Sequence, residues 1–243
     1  MNSIGFYTKK RIKKRESFFQ KKVNFKGVDT TDLLITKIVK HLASNNKVLD
    51  IGTGNGFVPL KLNERLRDKP IELWGVDISD EMIKKARANV ADTSNINIVK
   101  GDNFDLPFQN EFFDVVTNKV VTNFSCEEVF RVLRKGGYFI FKEYGQYKGL
   151  KEITKLFNTR VIRRRVPEDY VIKLKKAGFK RVSLKEFEVK YRYSFNDLIN
   201  VLEMAPIIEN FSAKDKRTIK EAIFKSKKNI WITADPFIII AKK

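Results

Sequence analysis

An α/β fold, with a mostly parallel sheet covered by helices on both faces, is what this 243-residue sequence predicts. Three observations carry that expectation. Apolar strand-like runs alternate with helical periods through the first half of the chain and beyond it. The first clear strand ends in VLDI at 48–51 and runs into the glycine turn GTGNG at 52–56, with a helical pattern opening directly behind it. Acidic residues then close the next two strands, Asp77 and Asp102.

The elements follow in order. Residues 1–28 are basic, with Phe6, Tyr7, Phe18, Phe19 and Phe25 interspersed, and read as a loosely structured arm with one short helix. Thr30 or Thr31 is placed to cap a helix whose Leu33, Leu34, Ile38 and Leu42 share a face. Strand 47–51, the glycine turn and a helix to about Arg67 come next, and Pro70 separates them from the strand IELWGVD. Ser79 is a natural N-cap for a helix with Met82, Ile83, Ala86 and Val90 on one side. INIVKGD and FFDVVTN are strands, 126–133 is helical and closed by Gly136 and Gly137, and YFIFKEY is a further strand. LPF at 106–108 and Phe112–Phe113 read as packing residues. Beyond Gly145 helices are expected at 150–157, 167–177, 195–204 and 213–225. VSLKEFEVKYRYS alternates as one strand, and PFIIIAKK is the last. The expected organisation is an arm at 1–28 and one domain at 29–243, with an excursion at 145–235.

Composition narrows the function. Cys126 is the only cysteine and His41 the only histidine. Disulfide frameworks, Cys- or His-based metal centres and almost all His-dependent triads are thereby excluded. No apolar run is long enough to span a bilayer, and the N-terminus lacks a secretion-type apolar segment, so a cytoplasmic, metal-independent protein without membrane partners is expected. The net charge of +20 invites a nucleic-acid reading, yet the lysine excess accompanies heavy use of Ile and Asn, as an AT-rich genome produces. Two clusters are denser than that background: Lys9 to Arg15, and Arg160 with Arg163, Arg164 and Arg165.

VLDIGTGNG, GVDISDEMIKKARAN, VKGDNFDLPFQNEFFDVV and EVFRVLRKGGYFIF, in that order, resemble a class I S-adenosylmethionine-dependent methyltransferase of the type 11 sort. The likeness is close over residues 46–143 and looser at the terminal strands. It implies a Rossmann-like sheet of seven strands, S-adenosyl-L-methionine as cofactor, and a C-terminal cap insertion at the excursion. Each motif has a physical reading beside that resemblance. An acid next to a glycine turn suits the cofactor's cationic amino-acid end, and Asp50 with Gly52, Thr53, Gly54 and Gly56 occupies that place. One carboxylate can accept both ribose hydroxyls, and Asp77 stands where it would do so. Asp102 and Asn103 offer polar partners for adenine, and Ile78, Met82 and Phe104 offer apolar walls. Asn118 and Lys119 fall beside the methionine moiety. A dinucleotide site is the competitor, but GxGxG lacks the third glycine of its fingerprint, and Asp50 suits a pyrophosphate badly.

Methyl transfer from a sulfonium needs alignment more than a nucleophilic side chain. If the acceptor must lose a proton, Glu143 and Tyr144 are the candidate bases. The expected acceptor is a small molecule, with Phe157, Tyr170, Tyr191, Tyr193, Phe195 and Met204 fit to line its pocket, and Arg160–Arg165 favouring a carboxylate or phosphate on it. RNA methylation, using the basic arm and the arginine cluster, is the first alternative. Transfer of the aminocarboxypropyl arm and cofactor binding without turnover are the others.

Overall fold

The computed structural model describes residues 24–67, 69–121, 123–162, 165–205 and 207–243. The expected arm over 1–28, with its basic cluster at Lys9–Arg15, lies outside them up to residue 23, as do Arg163 and Arg164. In chain order the elements begin with β1 (Phe25–Lys26), α1 (Thr30–Lys40), β2 (Lys47–Ile51), α2 (Phe57–Arg65), β3 (Glu72–Asp77) and α3 (Asp80–Asn89). They continue with β4 (Ile96–Lys100), β5 (Phe113–Lys119), α4 (Cys126–Val132), β6 (Leu133–Tyr144), α5 (Lys151–Leu156) and α6 (Pro167–Lys176). The chain closes with β7 (Arg181–Glu186), β8 (Val189–Ser194), α7 (Phe195–Met204), α8 (Ala213–Ile219), β9 (Asn229–Ala234) and β10 (Pro236–Lys242).

Two compact units result. The first comprises Asp29–Glu143, Pro167–Lys185 and Phe237–Lys243. Its seven-stranded sheet has the order β4-β3-β2-β5-β6-β10-β7, as the family resemblance implied. β2 pairs in parallel with β3 and β5, β3 with β4, and β5 with β6. β10 runs the other way, since Gly136 N–H donates to Lys243 O and Lys243 N–H to Gly137 O. Leu49, Ile51, Val116, Phe139, Phe141 and Phe237 are buried on one side of this sheet, and a cluster of Trp74, Phe108, Phe112 and Phe113 packs edge to face beside it. Arg131 organises the β4–β5 connection: its guanidinium pairs with Glu128 and donates to the carbonyls of Leu106 and Phe108.

Local chemistry explains where the helices start. Ser79 caps α3 and Ser125 caps α4, each hydroxyl accepting a backbone N–H of the first turn. The cap of α1 is Asp29, not Thr30 or Thr31, because its carboxylate accepts both Thr31 N–H and Asp32 N–H, at 2.9 and 3.0 Å. Gly136 and Gly137 do not end α4. The helix closes at Val132, and the two glycines lie within strand β6.

Of the described residues, the second unit takes 24–28, 144–162, 165–166 and 186–236. Its antiparallel sheet has the order β1-β8-β9. Leu150, Ile153, Phe157, Tyr193, Leu198 and Ile232 form its core. Two expectations change here. VSLKEFEVKYRYS is not one strand but two, β7 and β8, in different sheets. Period-two alternation persists through the switch because each strand has its own apolar side. Phe157 and Tyr193 are core residues of this unit, with Tyr191 and Phe195 packed against them, while Tyr170 packs in the first unit's core. Phe157 and Tyr193 are thus buried, while Tyr170, Tyr191 and Phe195 stay half-buried.

Candidate functional site

The glycine turn sits between the carboxyl ends of β2 and β3. Thr53 N–H donates to Val76 O at 2.9 Å, and Gly56 N–H to Thr53 O at 3.1 Å. Gly52, Gly54 and Gly56 all have left-handed φ, at 64°, 59° and 81°, which is why glycine recurs there. Gly56 then opens α2. The first two of these glycines face different surroundings. A Cβ on Gly52 would stand 2.6 Å from Val121 Cγ2, whereas one on Gly54 would meet nothing within 4 Å.

Asp77 faces that turn. One carboxylate oxygen accepts Gly54 N–H at 2.9 Å and the other accepts Ser79 N–H at 3.0 Å. Only 8% of the residue is exposed. Asp50, 2% exposed, is one step further inside. Burial pushes its carboxyl up to about 7; the neighbouring Thr53 hydroxyl and the Lys119 charge pull it down, and Asp77 pushes it up again. Among the described residues its Oδ1 is buried without a hydrogen-bond partner. A buried carboxylate oxygen left open beside the glycine turn is what a cationic, hydrogen-bonding ligand would complete.

Strand register gathers more polar groups here. Asp50 is paired with Thr117 across β2 and β5, so alternation puts Thr117 and Lys119 on the Asp50 face and Asn118 on the other. Lys119 Nζ lies 5.0 Å above the Phe57 ring. Asn118 is 0% exposed, and among the described residues neither its amide oxygen nor its nitrogen has a partner. Glu143, also buried, shares the face of Phe139 and Phe141 at the end of β6, two positions past the partner of Asn118. Tyr144 packs its ring onto Gly149, where a Cβ would lie 3.0 Å from it.

The β4–β5 turn is shaped by its own polar residues. Asp102 Oδ1 accepts Phe104 N–H at 3.0 Å, Asn103 O accepts Ser125 N–H, and Phe104 is left 58% exposed. Met82 is buried under α3 and Ile78 is half-buried behind Asp77. The sequence does not single out Val121 or Thr117: each reaches the glycine turn or Asp50 only through the pairing of β5 with β2, which leaves no mark in the local pattern.

The arginine cluster is different. Arg160 pairs with Asp215 in the second unit, donates to Glu209 O and lies over the Phe157 ring. Its pairing holds the Asp215 carboxyl below the usual carboxylate range. It therefore holds its own unit together instead of presenting a free charge to an anionic acceptor. Among the described residues no group of three or more His, Cys, Asp and Glu is placed to hold a metal ion, and no helix is long and apolar enough to cross a membrane.

Comparison with known proteins agrees with this geometry. A family described as "Methyltransferase domain" matches residues 42–189. The ubiquinone/menaquinone biosynthesis C-methyltransferase UbiE of Geotalea daltonii is 30% identical over 143 residues, 55% of this chain and 60% of its own. The chain thus spans less than two thirds of that curated relative. Among solved structures, BH2331 from Bacillus halodurans superposes with a TM-score of 0.62 at 19% identity, covering 89% of this chain and 99% of that one. The phosphoethanolamine N-methyltransferase 2 of Haemonchus contortus, solved with phosphomonomethylethanolamine and S-adenosylhomocysteine, gives 0.62 at 19% identity over 98% of this chain and 58% of its own. With the glycine turn, the two strand-end acids and the seven-stranded order all in place, the chain belongs to the class I S-adenosylmethionine-dependent methyltransferases.

Proposed function

We infer that this protein methylates a small-molecule acceptor by direct in-line transfer, without a covalent enzyme intermediate. The observation that carries this reading is that the chain's single cysteine and single histidine are both spent on structure. Cys126 is buried, which pushes its thiol up to about 11. His41 bonds Lys37 O through Nδ1 at 2.7 Å and packs 4.3 Å from the Tyr138 ring. What the site offers instead is carboxylates, amides and backbone N–H groups, the means of alignment.

S-adenosylmethionine, when bound, supplies a methyl carbon already activated by its sulfonium. In this reading Asp50 receives the cofactor's ammonium, and Asp77 accepts the ribose hydroxyls. Asp102 and Asn103 meet the adenine edge between Ile78, Met82 and Phe104, while Asn118 and Lys119 border the methionine end. Glu143 holds the proton that an acceptor hydroxyl or ammonium gives up, with Tyr144 as the second candidate. Acceptor choice is assigned to the excursion over residues 145–235. The relatives support a small acceptor, one being named for quinone biosynthesis and one for a phosphoamine. The engagement of Arg160 by Asp215 weakens the RNA reading, which needs that arginine for phosphates.

The test is product identification. With labelled S-adenosylmethionine and a panel of quinol, phenol and amine acceptors, S-adenosylhomocysteine is the expected second product. Methylthioadenosine would replace the reading with aminocarboxypropyl transfer, and turnover confined to RNA would replace the acceptor class. Gly52 and Gly54 provide a second check. Gly52→Ala meets both the left-handed φ and the Val121 side chain, so it should destabilise the fold by about 2–4 kcal/mol. Gly54→Ala meets only the φ, about 1–2 kcal/mol, and should instead lose S-adenosylhomocysteine affinity by filling the space left open above the turn. Urea denaturation and calorimetry of both variants separate the effects; equal losses of stability would contradict the assigned surroundings.

A further inference from the structure

The end of β5 holds a backbone conformation that its side chain disfavours. Val120 has φ 62°, in the left-handed region that a β-branched residue enters only under constraint. It is 37% exposed, so deep burial of its side chain does not offset the strain. The Val120 N–H donates to Lys142 O at 2.9 Å, which ties the turn to β6.

What the turn achieves is visible at its neighbours. On one side Lys119 holds its ammonium over Phe57, the first residue of α2, and its charge acts on Asp50. On the other, the Val121 isopropyl group fills the space that a Cβ of Gly52 would take. Continued extended backbone at residue 120 would carry residue 121 onward along the strand direction instead of back onto the glycine turn. That turn contains three left-handed glycines and has little stiffness of its own. The end of β5 therefore supplies from outside the rigidity that the glycines lack.

We propose that the Val120–Val121 turn is a latch on the cofactor loop. Val121 acts through its side chain on Gly52, and Val120 is a positioning residue acting through its left-handed backbone. The inference rests on reading the glycine turn as the seat of S-adenosylmethionine. Its prediction is that affinity for the cofactor product depends on a valine that is absent from the glycine motif itself.

The experiment compares the full-length parent with Val121→Ala, Val121→Ile and Val120→Asn. Three quantities are measured: S-adenosylhomocysteine affinity by calorimetry, the unfolding midpoint without ligand, and amide exchange at Thr53 and Gly54. Val121→Ala should weaken binding on the order of tenfold, and speed exchange at both amides, while the midpoint moves little. Val121→Ile should restore affinity and protection. Val120→Asn, a residue that tolerates left-handed φ, should keep affinity and raise the midpoint. Parent-like binding and exchange in Val121→Ala, or lost affinity in a folded Val120→Asn, would overturn the latch. A parent that binds no S-adenosylhomocysteine would instead overturn the cofactor reading, and the amide exchange would still decide the latch.

Discussion

Asp50→Asn is expected to make the ligand-free protein more stable at pH 8 and at the same time to cost it most of its affinity for S-adenosylhomocysteine. The carboxyl titrates at about 7 in the fold against an ordinary 3.8, because burial disfavours its charge. Below about pH 4 both folded and unfolded chains hold the proton, and the group costs nothing. Between there and 7 the unfolded chain releases it first, so the stability tied to the protonated carboxyl is lost as pH rises through 7. The full penalty is on the order of 4 kcal/mol at alkaline pH. A carboxamide carries no charge but still needs partners, so the net gain should be about 1–3 kcal/mol. The same substitution removes the counter-charge proposed for the cofactor's ammonium, a loss of about 1.5–3 kcal/mol, or tenfold to a hundredfold in affinity. Parent affinity should also rise from pH 6 to 8 as Asp50 ionises, and that part of the rise should vanish in the variant. Urea denaturation at pH 5 and 8 with calorimetry at both values checks the set. A variant no more stable than the parent at pH 8 would mean that Asp50 carries no buried charge.

The same residue illustrates which parts of the site are legible in the sequence. Asp50, Gly52, Gly54, Gly56 and Asp77 are close to one another along two neighbouring strand ends, so a local motif is enough to bring them together. Ser79 is legible for a similar reason, since a cap acts within one turn. The burial that raises the Asp50 carboxyl is not legible, because it comes from the packing of β2 between β3 and β5. Val121 reaches Gly52 only through that same strand order. Arg160 reads as a free charge until Asp215, far along the chain, is found against it. The burial of Phe157 and Tyr193 in the second unit's core is not legible for a related reason: an amphipathic pattern fixes which side is apolar, not whether core or ligand covers it. The split of VSLKEFEVKYRYS between β7 and β8 is hidden in the same way, by two half-buried sheets with one shared period.

Asp77 is expected to separate folding from binding when its two oxygens are removed in turn. Its position at a strand end suggests few consequences for folding, but both oxygens are engaged, one by Gly54 N–H and one by Ser79 N–H. Asp77→Ala leaves these two donors without their acceptor at a nearly buried site, which should cost about 1–3 kcal/mol of stability. It also removes the acceptor proposed for both ribose hydroxyls, so affinity should fall by a further 1.5–3 kcal/mol or so. Asp77→Asn keeps one carbonyl oxygen for the glycine turn and turns the other position into a donor. Gly54 N–H then keeps an acceptor while Ser79 N–H loses one, so stability should fall by about half of what Asp77→Ala loses; the variant can no longer accept from two vicinal hydroxyls and should still bind S-adenosylhomocysteine at least tenfold more weakly, about 1.4 kcal/mol. The contrast matters because Gly54 N–H and the ribose compete for the same carboxylate. If Asp77 only braces the turn, Asn should bind nearly as the parent does and Ala should lose affinity in step with stability. If Asp77 holds the ribose, the two variants should bind almost equally badly while differing in stability, and calorimetry beside urea denaturation tells these outcomes apart.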